Sequence, residues 1–355
     1  MIKTLCYLTV FFMFIGAVQA KFSKQLVKDN LGIVWGMESL DSGILFTERS
    51  GKLKFLNLKA KTVKEISGAP KVYSRGQGGL LDIKKHPDFK QNKRIYLSYS
   101  KEFNGQKTTA LGYGLYQNGK LEKFKDIFIA KGEASKRIHF GSRIVFKNNI
   151  IYLSIGERGV RDNAQDLSNH FGTIVRVTDE GKALKDNPFY GKKKALPEIW
   201  SYGHRNPQGL AYDKKNDTLY AMEHGPRGGD EINIIEPGKN YGWPIISYGK
   251  EYVLPMMVGE STQKKGMEQP LKYYVPSIAP CDLVYYDHEK FPELKGSLIS
   301  GALKLTHINV YYVKTKKEKR LFDKENMRVR SILNTPNGEI YFGTDGGKIF
   351  QLVKK

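Results

Sequence analysis

The chain has 355 residues, 40% hydrophobic, 26% charged and 12% aromatic, with 36 glycines and a formal charge of +22. This composition excludes an intrinsically disordered chain and favours many short strands joined by tight turns. The basic charge raises nucleic acid as a partner, but the lysines are scattered (KKK, KTKKEKR, KLKFLNLKAK) with no helix-turn-helix, zinc-finger or base-stacking motif, so a solvated basic surface and no nucleic-acid role are expected.

In chain order, the first segment is distinct from the rest. Lys3 precedes an almost wholly apolar run from Leu5 to Val18, and Val18 and Ala20 stand at the −3 and −1 positions of a cleavage site. The run is shorter than the ~20 residues that span a bilayer. It therefore reads as a secretory signal peptide cleaved after Ala20, with the mature chain, from Lys21, periplasmic or secreted. No later stretch is as apolar, so the mature chain is expected to have no integral membrane segment. Cys6 leaves with the leader and Cys281 remains unpaired, so the fold of residues 21–355, read as a single domain, rests on its core without a disulfide.

From Ser42 onward one pattern recurs: a turn with Gly, Asn or Asp, a short β-branched or aromatic strand, a small or acidic turn, and another strand. It begins SGILFTERSGKLKFLNL at Ser42, KRIYLSYS at Lys93, NNIIYLSIGERG at Asn148, NDTLYAMEHG at Asn216, GSLISGALKLTHINVYYV at Gly296 and NGEIYFGTDGGKIFQLV at Asn337. Six copies separated by about forty to eighty residues suit blades that carry loop insertions, and long helical periodicity is absent. The expected fold is all-β, a six-bladed β-propeller whose function lies in loops at the mouth of a central channel. The longest insertions follow Gly156 and Glu223.

Several loops are richer in charge and glycine than strand building requires. They read RGQGGLLDIKKHPDF from Arg75, IHFGSRIVF from Ile138, IGERGVRDNAQDLSNHFGTIVRV from Ile155, EIWSYGHRNPQGLAYD from Glu198 and EHGPRGGDEINIIEPGKNYGWP from Glu223, then PSIAP, GALK and RVR. In order and wording, from about Leu31 to Leu352, these segments resemble the soluble pyrroloquinoline-quinone glucose/sorbosone dehydrogenase family, and within it the periplasmic aldose sugar dehydrogenases.

The resemblance implies a role for each matching position. An isolated histidine in a strand context is ordinarily structural, but His139 in HFGSR falls at the family's catalytic base, and imidazole can take a proton near neutral pH. Glu157 stands where the family usually has an aspartate that orients the histidine. Its longer side chain leaves direct contact with His139 open, and a plain turn carboxylate is the alternative. Arg205 and Asn206 match residues facing the reactive quinone, where a guanidinium stabilises developing negative charge; His204 is read as structural. Gln77, Ser277, Lys304, Arg328 and Arg330 match positions that hold the cofactor, whose three carboxylates call for cations. Without the resemblance, RVR reads as an exposed basic strand. Gly225 and Pro226 match backbone carbonyl donors to a calcium ion that also touches the cofactor, and Asp230 and Glu231 resemble ligands of a second, structural calcium, with ordinary loop carboxylates as the alternative. Departures from the family wording (Ser142 for a frequent glycine, Cys281, and Ile33-Val34-Trp35 in place of Pro-Trp) remove no group the chemistry needs.

The implied function is oxidation of the anomeric carbon of a cyclic aldose to an aldonolactone, with pyrroloquinoline quinone and calcium as cofactors and electrons passing to an external quinone or cytochrome. The competing reading is a non-catalytic propeller of the same family that binds a ligand or partner; loss of His139 or Arg205 would signal it, and both are present.

Overall fold

The computed structural model describes residues 22–253 and 256–355. The predicted leader, its cleavage after Ala20 and the first mature residue Lys21 lie outside the described residues. Within them the chain forms six four-stranded sheets. Their innermost strands, Val34–Leu40, Leu80–Lys85, Ile144–Lys147, Pro207–Asp213, Pro280–Tyr286 and Val329–Asn334, touch one another in a closed ring. This is the expected six-bladed β-propeller. Every predicted repeat falls on a different blade, chiefly on its second strand, such as Gly43–Glu48 in the first and Ile340–Thr344 in the last.

Each blade is buried on both faces by its neighbours, so its strands read as nearly continuous apolar runs rather than alternating ones. All six residues of Gly43–Glu48 are buried. The core is divided accordingly into one apolar cluster per blade–blade interface. Leu45, Leu53 and Ile66 of the first blade pack on Leu80, Ile83 and Leu97 of the second. Ile299 and Val310 of the fifth pack on Ile332 and Phe342 of the sixth, and the other four interfaces repeat the arrangement. Hairpin chemistry fixes register within a blade. Asn104-Gly105 and Asn118-Gly119, all at positive φ, close the two long hairpins of the second blade as two-residue turns of the kind that matches strand twist.

The ring closes through the N-terminus. Phe22–Lys28 is the outermost strand of the last blade and pairs antiparallel with the C-terminal Ile349–Lys354, from Phe22 opposite Lys354 onward. Near the axis a buried guanidinium links several blades. Arg143 lies 2.9 Å from Asp82 and 3.3 Å from Asp282, and stacks 4.2 Å from the Trp35 ring centroid. The HFGSR segment thus has two ends, with Arg143 anchored at the axis and His139 in the loop that leads into the innermost strand Ile144–Lys147.

Candidate active site

His139 adopts φ +56°, a left-handed conformation uncommon outside glycine, and Gly141 and Ser142 follow at +61° and +82°. This tight turn packs against the loop that leaves the strand Ile150–Ile155. A Cβ on Gly156 would meet the His139 carbonyl oxygen at 2.3 Å, so the two loops can close only with glycine there. The close approach brings Glu157 to the histidine: Glu157 Oε2 lies 2.5 Å from His139 Nδ1. The question left open by the extra methylene is answered here, because the backbone turn places glutamate within direct reach.

Both groups are buried, His139 at 8% and Glu157 at 1% exposure. Glu157 Oε2 also accepts the Gly159 N–H at 2.9 Å, and its own N–H donates to the Arg205 carbonyl at 2.9 Å. Facing a carboxylate, Nδ1 carries the ring proton and Nε2 is left as the base. Burial pushes the imidazole below its ordinary value; Glu157 pulls it upward, and the Arg205 and Arg158 guanidiniums lower it further. The ring is therefore neutral, and able to accept a proton, at neutral pH.

Gln77 and Asn206 bind the same loop. Gln77 Oε1 accepts the His139 N–H at 2.8 Å, and Asn206 Oδ1 accepts the Gly141 N–H at 3.1 Å. Arg205 is held by its backbone, whose N–H donates to Glu223 Oε2 at 2.7 Å, and by its guanidinium, which donates to the His224 carbonyl at 3.2 Å and lies 5.2 Å from the Trp243 ring centroid. Its buried Nε has no hydrogen-bond partner among the described residues. Glu223 also bonds His204, which stacks on Tyr241 and contacts Ser201, a structural setting as expected.

Around the channel the cations converge. Arg330 donates to both carboxylate oxygens of Asp345 at 2.8 and 3.0 Å, and Arg328 joins them at 2.9 Å. Burial would raise the Asp345 carboxyl, but the two guanidiniums hold it below its ordinary value. Arg328 also donates to the Leu303 carbonyl at 2.7 Å, next to the exposed Lys304. RVR is an exposed basic segment only at Arg328, since Arg330 is buried. Arg49 is close enough to Arg330 and Asp345 for their charges to perturb it, after burial, which lowers it most. Arg49, Arg328 and Arg330 gather on the single carboxylate of Asp345, and this excess of guanidinium, with the buried Arg205 Nε unpaired, suits a polycarboxylate such as pyrroloquinoline quinone. Arg49, Asp345 and Trp243 were not singled out from sequence. Neither was His224, whose imidazole is pushed down to about 3 by burial, then by Arg205.

The loop after Glu223 is crowded with carbonyls. A Cβ on Gly225 would lie 2.2 Å from the Gly229 carbonyl oxygen and 2.3 Å from that of Gly228. Gly225 and Pro226 are buried, and their carbonyl oxygens accept no hydrogen bond among the described residues. That donor set suits a hard cation such as calcium. Asp230 is engaged within the protein. Its two oxygens accept the Gly225 N–H at 2.9 Å, the Ser277 hydroxyl at 2.6 Å, and the Ile278 and Ala279 N–H groups at 2.7 and 2.9 Å. It staples the calcium-type loop to PSIAP, and Ser277 spends its proton on it. Glu231 pairs across strands with Glu223, and its carboxyl is pushed up to about 8 by burial and then by that neighbour. Among the described residues no three His, Cys, Asp or Glu side chains are grouped to hold a metal.

The comparisons with known proteins bear on the family and the fold. The sequence model of the glucose/sorbosone dehydrogenase family matches residues 31–351. The chain is 38% identical to the aldose sugar dehydrogenase YliI of Escherichia coli, over 93% of this chain and 91% of that protein. It is 31% identical to quinoprotein glucose dehydrogenase B of Acinetobacter calcoaceticus, over 67% of this chain and 55% of that one. The apo-form crystal structure of the soluble E. coli aldose sugar dehydrogenase superposes with a TM-score of 0.89 at 37% identity, covering 94% of this chain and 99% of the other. The pyrroloquinoline-quinone-bound aldose sugar dehydrogenase of Streptomyces coelicolor superposes with a TM-score of 0.78 at 26% identity, covering 95% and 99%. Agreement of this extent, with the family model running over residues 31–351, makes the chain a member of the glucose/sorbosone dehydrogenase family.

Proposed function

We propose that the protein is an aldose sugar dehydrogenase that oxidises the anomeric carbon of cyclic aldoses to aldonolactones, using pyrroloquinoline quinone and calcium. The observation that carries the reading is the neutral, buried His139 with Nδ1 on Glu157 and Nε2 free, set beside a guanidinium-rich channel mouth.

His139 Nε2 takes the proton of the anomeric hydroxyl, and Glu157 holds the ring in the tautomer that leaves Nε2 basic and steadies the imidazolium that results. When bound, pyrroloquinoline quinone supplies a two-electron acceptor for the hydride leaving the sugar carbon. Gln77, Asn206, Ser277, Lys304, Arg328 and Arg330 would hold it, and Arg205 brings fixed positive charge to where negative charge builds. Gly225 and Pro226 would hold calcium through their carbonyl oxygens. Electrons then leave to an external quinone or cytochrome.

The leader composition supports action in the periplasm or outside the cell; among the described residues no helix is long and apolar enough to cross a membrane. The test is titration of the cofactor-free protein with pyrroloquinoline quinone and calcium while following dye reduction with several aldoses. Turnover should require both additions, and chelation should abolish it until calcium is restored. Absence of turnover at every ratio, or full turnover after exhaustive calcium removal, would contradict the assignment.

A further inference from the structure

A cavity of about 770 Å³, used by none of the roles above, has in its wall Arg137, two residues before His139 in the chain. Its walls come from the loop before Gln77 and from the outer ends of the two long hairpin strands of the second blade, Arg94–Phe103 and Gln106–Gln117. That size is ordinary for a small-molecule site. Five cations line it, Lys71, Arg75, Lys101, Lys107 and Arg137, against two carboxylates, Glu102 and Asp126. The carboxylates are already engaged, Asp126 with Lys101 and Glu102 with Lys107 at 3.2 Å. Lys71, Arg75 and Arg137 form no ion pair among the described residues, so three positive charges stay uncompensated. Tyr73 and Tyr99 add aromatic surface, with the Lys107 ammonium 5.9 Å from the Tyr73 ring centroid.

The cavity is coupled to the reacting end of the site by short links. Arg137 stands two residues before His139 and Arg75 two before Gln77. The Gln77 N–H donates to the Arg137 carbonyl at 2.8 Å, while the Gln77 side chain accepts the His139 N–H at 2.8 Å. Arg158, adjacent to Glu157 and fully buried, stacks 3.4 Å from the Phe140 ring centroid and donates to the Lys107 carbonyl at 3.0 Å and the Lys136 carbonyl at 2.8 Å. The loop that carries the proton acceptor and the wall that carries the free cations are thus one framework.

We propose that this cavity is a subsite for an anionic group on the sugar, so that the preferred substrates are aldoses bearing a carboxylate or phosphate away from the anomeric carbon. The inference rests on the dehydrogenase reading for its reaction: the same hydride and proton leave C1, and the anion is unchanged. A concave, tyrosine-lined site suits a small ligand better than the flat acidic face of a partner protein.

The test compares kcat/KM for glucose, glucuronate and glucose 6-phosphate at low salt, in the reconstituted wild type and in a Lys71→Gln/Arg75→Gln/Arg137→Gln variant. Lys71, Arg75 and Arg137 are exposed, and three such charges acting together predict a preference for at least one acidic sugar of about tenfold. The preference should shrink as salt rises and disappear in the variant, with glucose turnover kept within about twofold because no catalytic or cofactor contact is altered. The two acidic sugars separate carboxylate from phosphate recognition. Acidic sugars no better than glucose, or a preference that survives in the variant, would overturn the proposal. Calorimetric titration of the protein saturated with pyrroloquinoline quinone and calcium, without electron acceptor, with digalacturonate and with neutral cellobiose gives a second reading. Selective binding of the acid, lost in the variant, supports the subsite even if no sugar is oxidised, an outcome that would instead defeat the dehydrogenase assignment; no binding of the acid overturns it.

Discussion

Replacing Glu157 by Gln tests the site at its tightest contact. The substitution keeps the size and the buried location of the side chain and removes its charge, 2.5 Å from His139 Nδ1. Glu157 is the main influence raising the imidazole against burial, Arg205 and Arg158. An opposite charge at such range is worth about one to three pKa units, so its loss should lower the already depressed histidine by that amount. The sign of the effect is set by these directions. In the wild type the base form is present at neutral pH and is lost as pH falls through a value below the ordinary ~6.5. In Glu157→Gln that acidic limb of kcat/KM should move to still lower pH, while kcat on the plateau falls by about 10–100-fold, as is typical when a group orienting a functional histidine is removed. The assay is dye reduction by the reconstituted enzyme across pH, with cofactor affinity measured separately. An acidic limb that stays put, with kcat unchanged, would refute the pairing as the source of basicity and reduce Glu157 to a turn residue.

Three further outcomes follow from the same geometry. Arg330→Ala removes a buried, charge-assisted contact and should weaken cofactor binding by about one to two decades, with turnover largely recovered at saturation; equilibrium titration against Arg205→Ala, which should keep affinity and lose kcat, checks the division of labour. Leu45→Ala opens a cavity in the first blade–blade cluster and should cost about 2–5 kcal/mol in denaturant unfolding, and a cost under about 1 kcal/mol would mean the interface is not packed as described. Asp230→Asn keeps the side chain's shape but gives up acceptor capacity for the Gly225 and Ser277–Ala279 donors, so calcium affinity should fall markedly in a metal titration, although Asp230 itself need not touch the ion.

Much of the fold was legible because blades repeat one local pattern, and the pattern is made of residues whose preferences agree with their places. Strand Gly43–Glu48 is apolar because both faces are covered, and Asn-Gly pairs stand where two-residue hairpins need positive φ. The site was legible where its wording is unusual, as in HFGSR and GHRNPQG. What stayed hidden depends on long-range placement. Whether Glu157 could reach His139 turns on the close packing of Gly156 against the His139 carbonyl, which no local propensity encodes. Asp345 sits in TDGGK, which reads as a plain hairpin turn, yet it receives Arg330 from the neighbouring strand and Arg328 from the residue before it. Asp230 looked like a free loop carboxylate because its four donors come from Gly225 and from residues almost fifty positions away.

The central claim is that His139 is the base for oxidation of a sugar by a bound quinone cofactor. It is tested most directly by anaerobic single-turnover reduction of the reconstituted protein, comparing wild type with His139→Gln at equal, saturating cofactor occupancy. The account predicts that aldose reduces the cofactor in the wild type and that His139→Gln binds it with similar affinity but reduces it about 10²–10⁴-fold more slowly. Reduction by His139→Gln at the wild-type rate would contradict it.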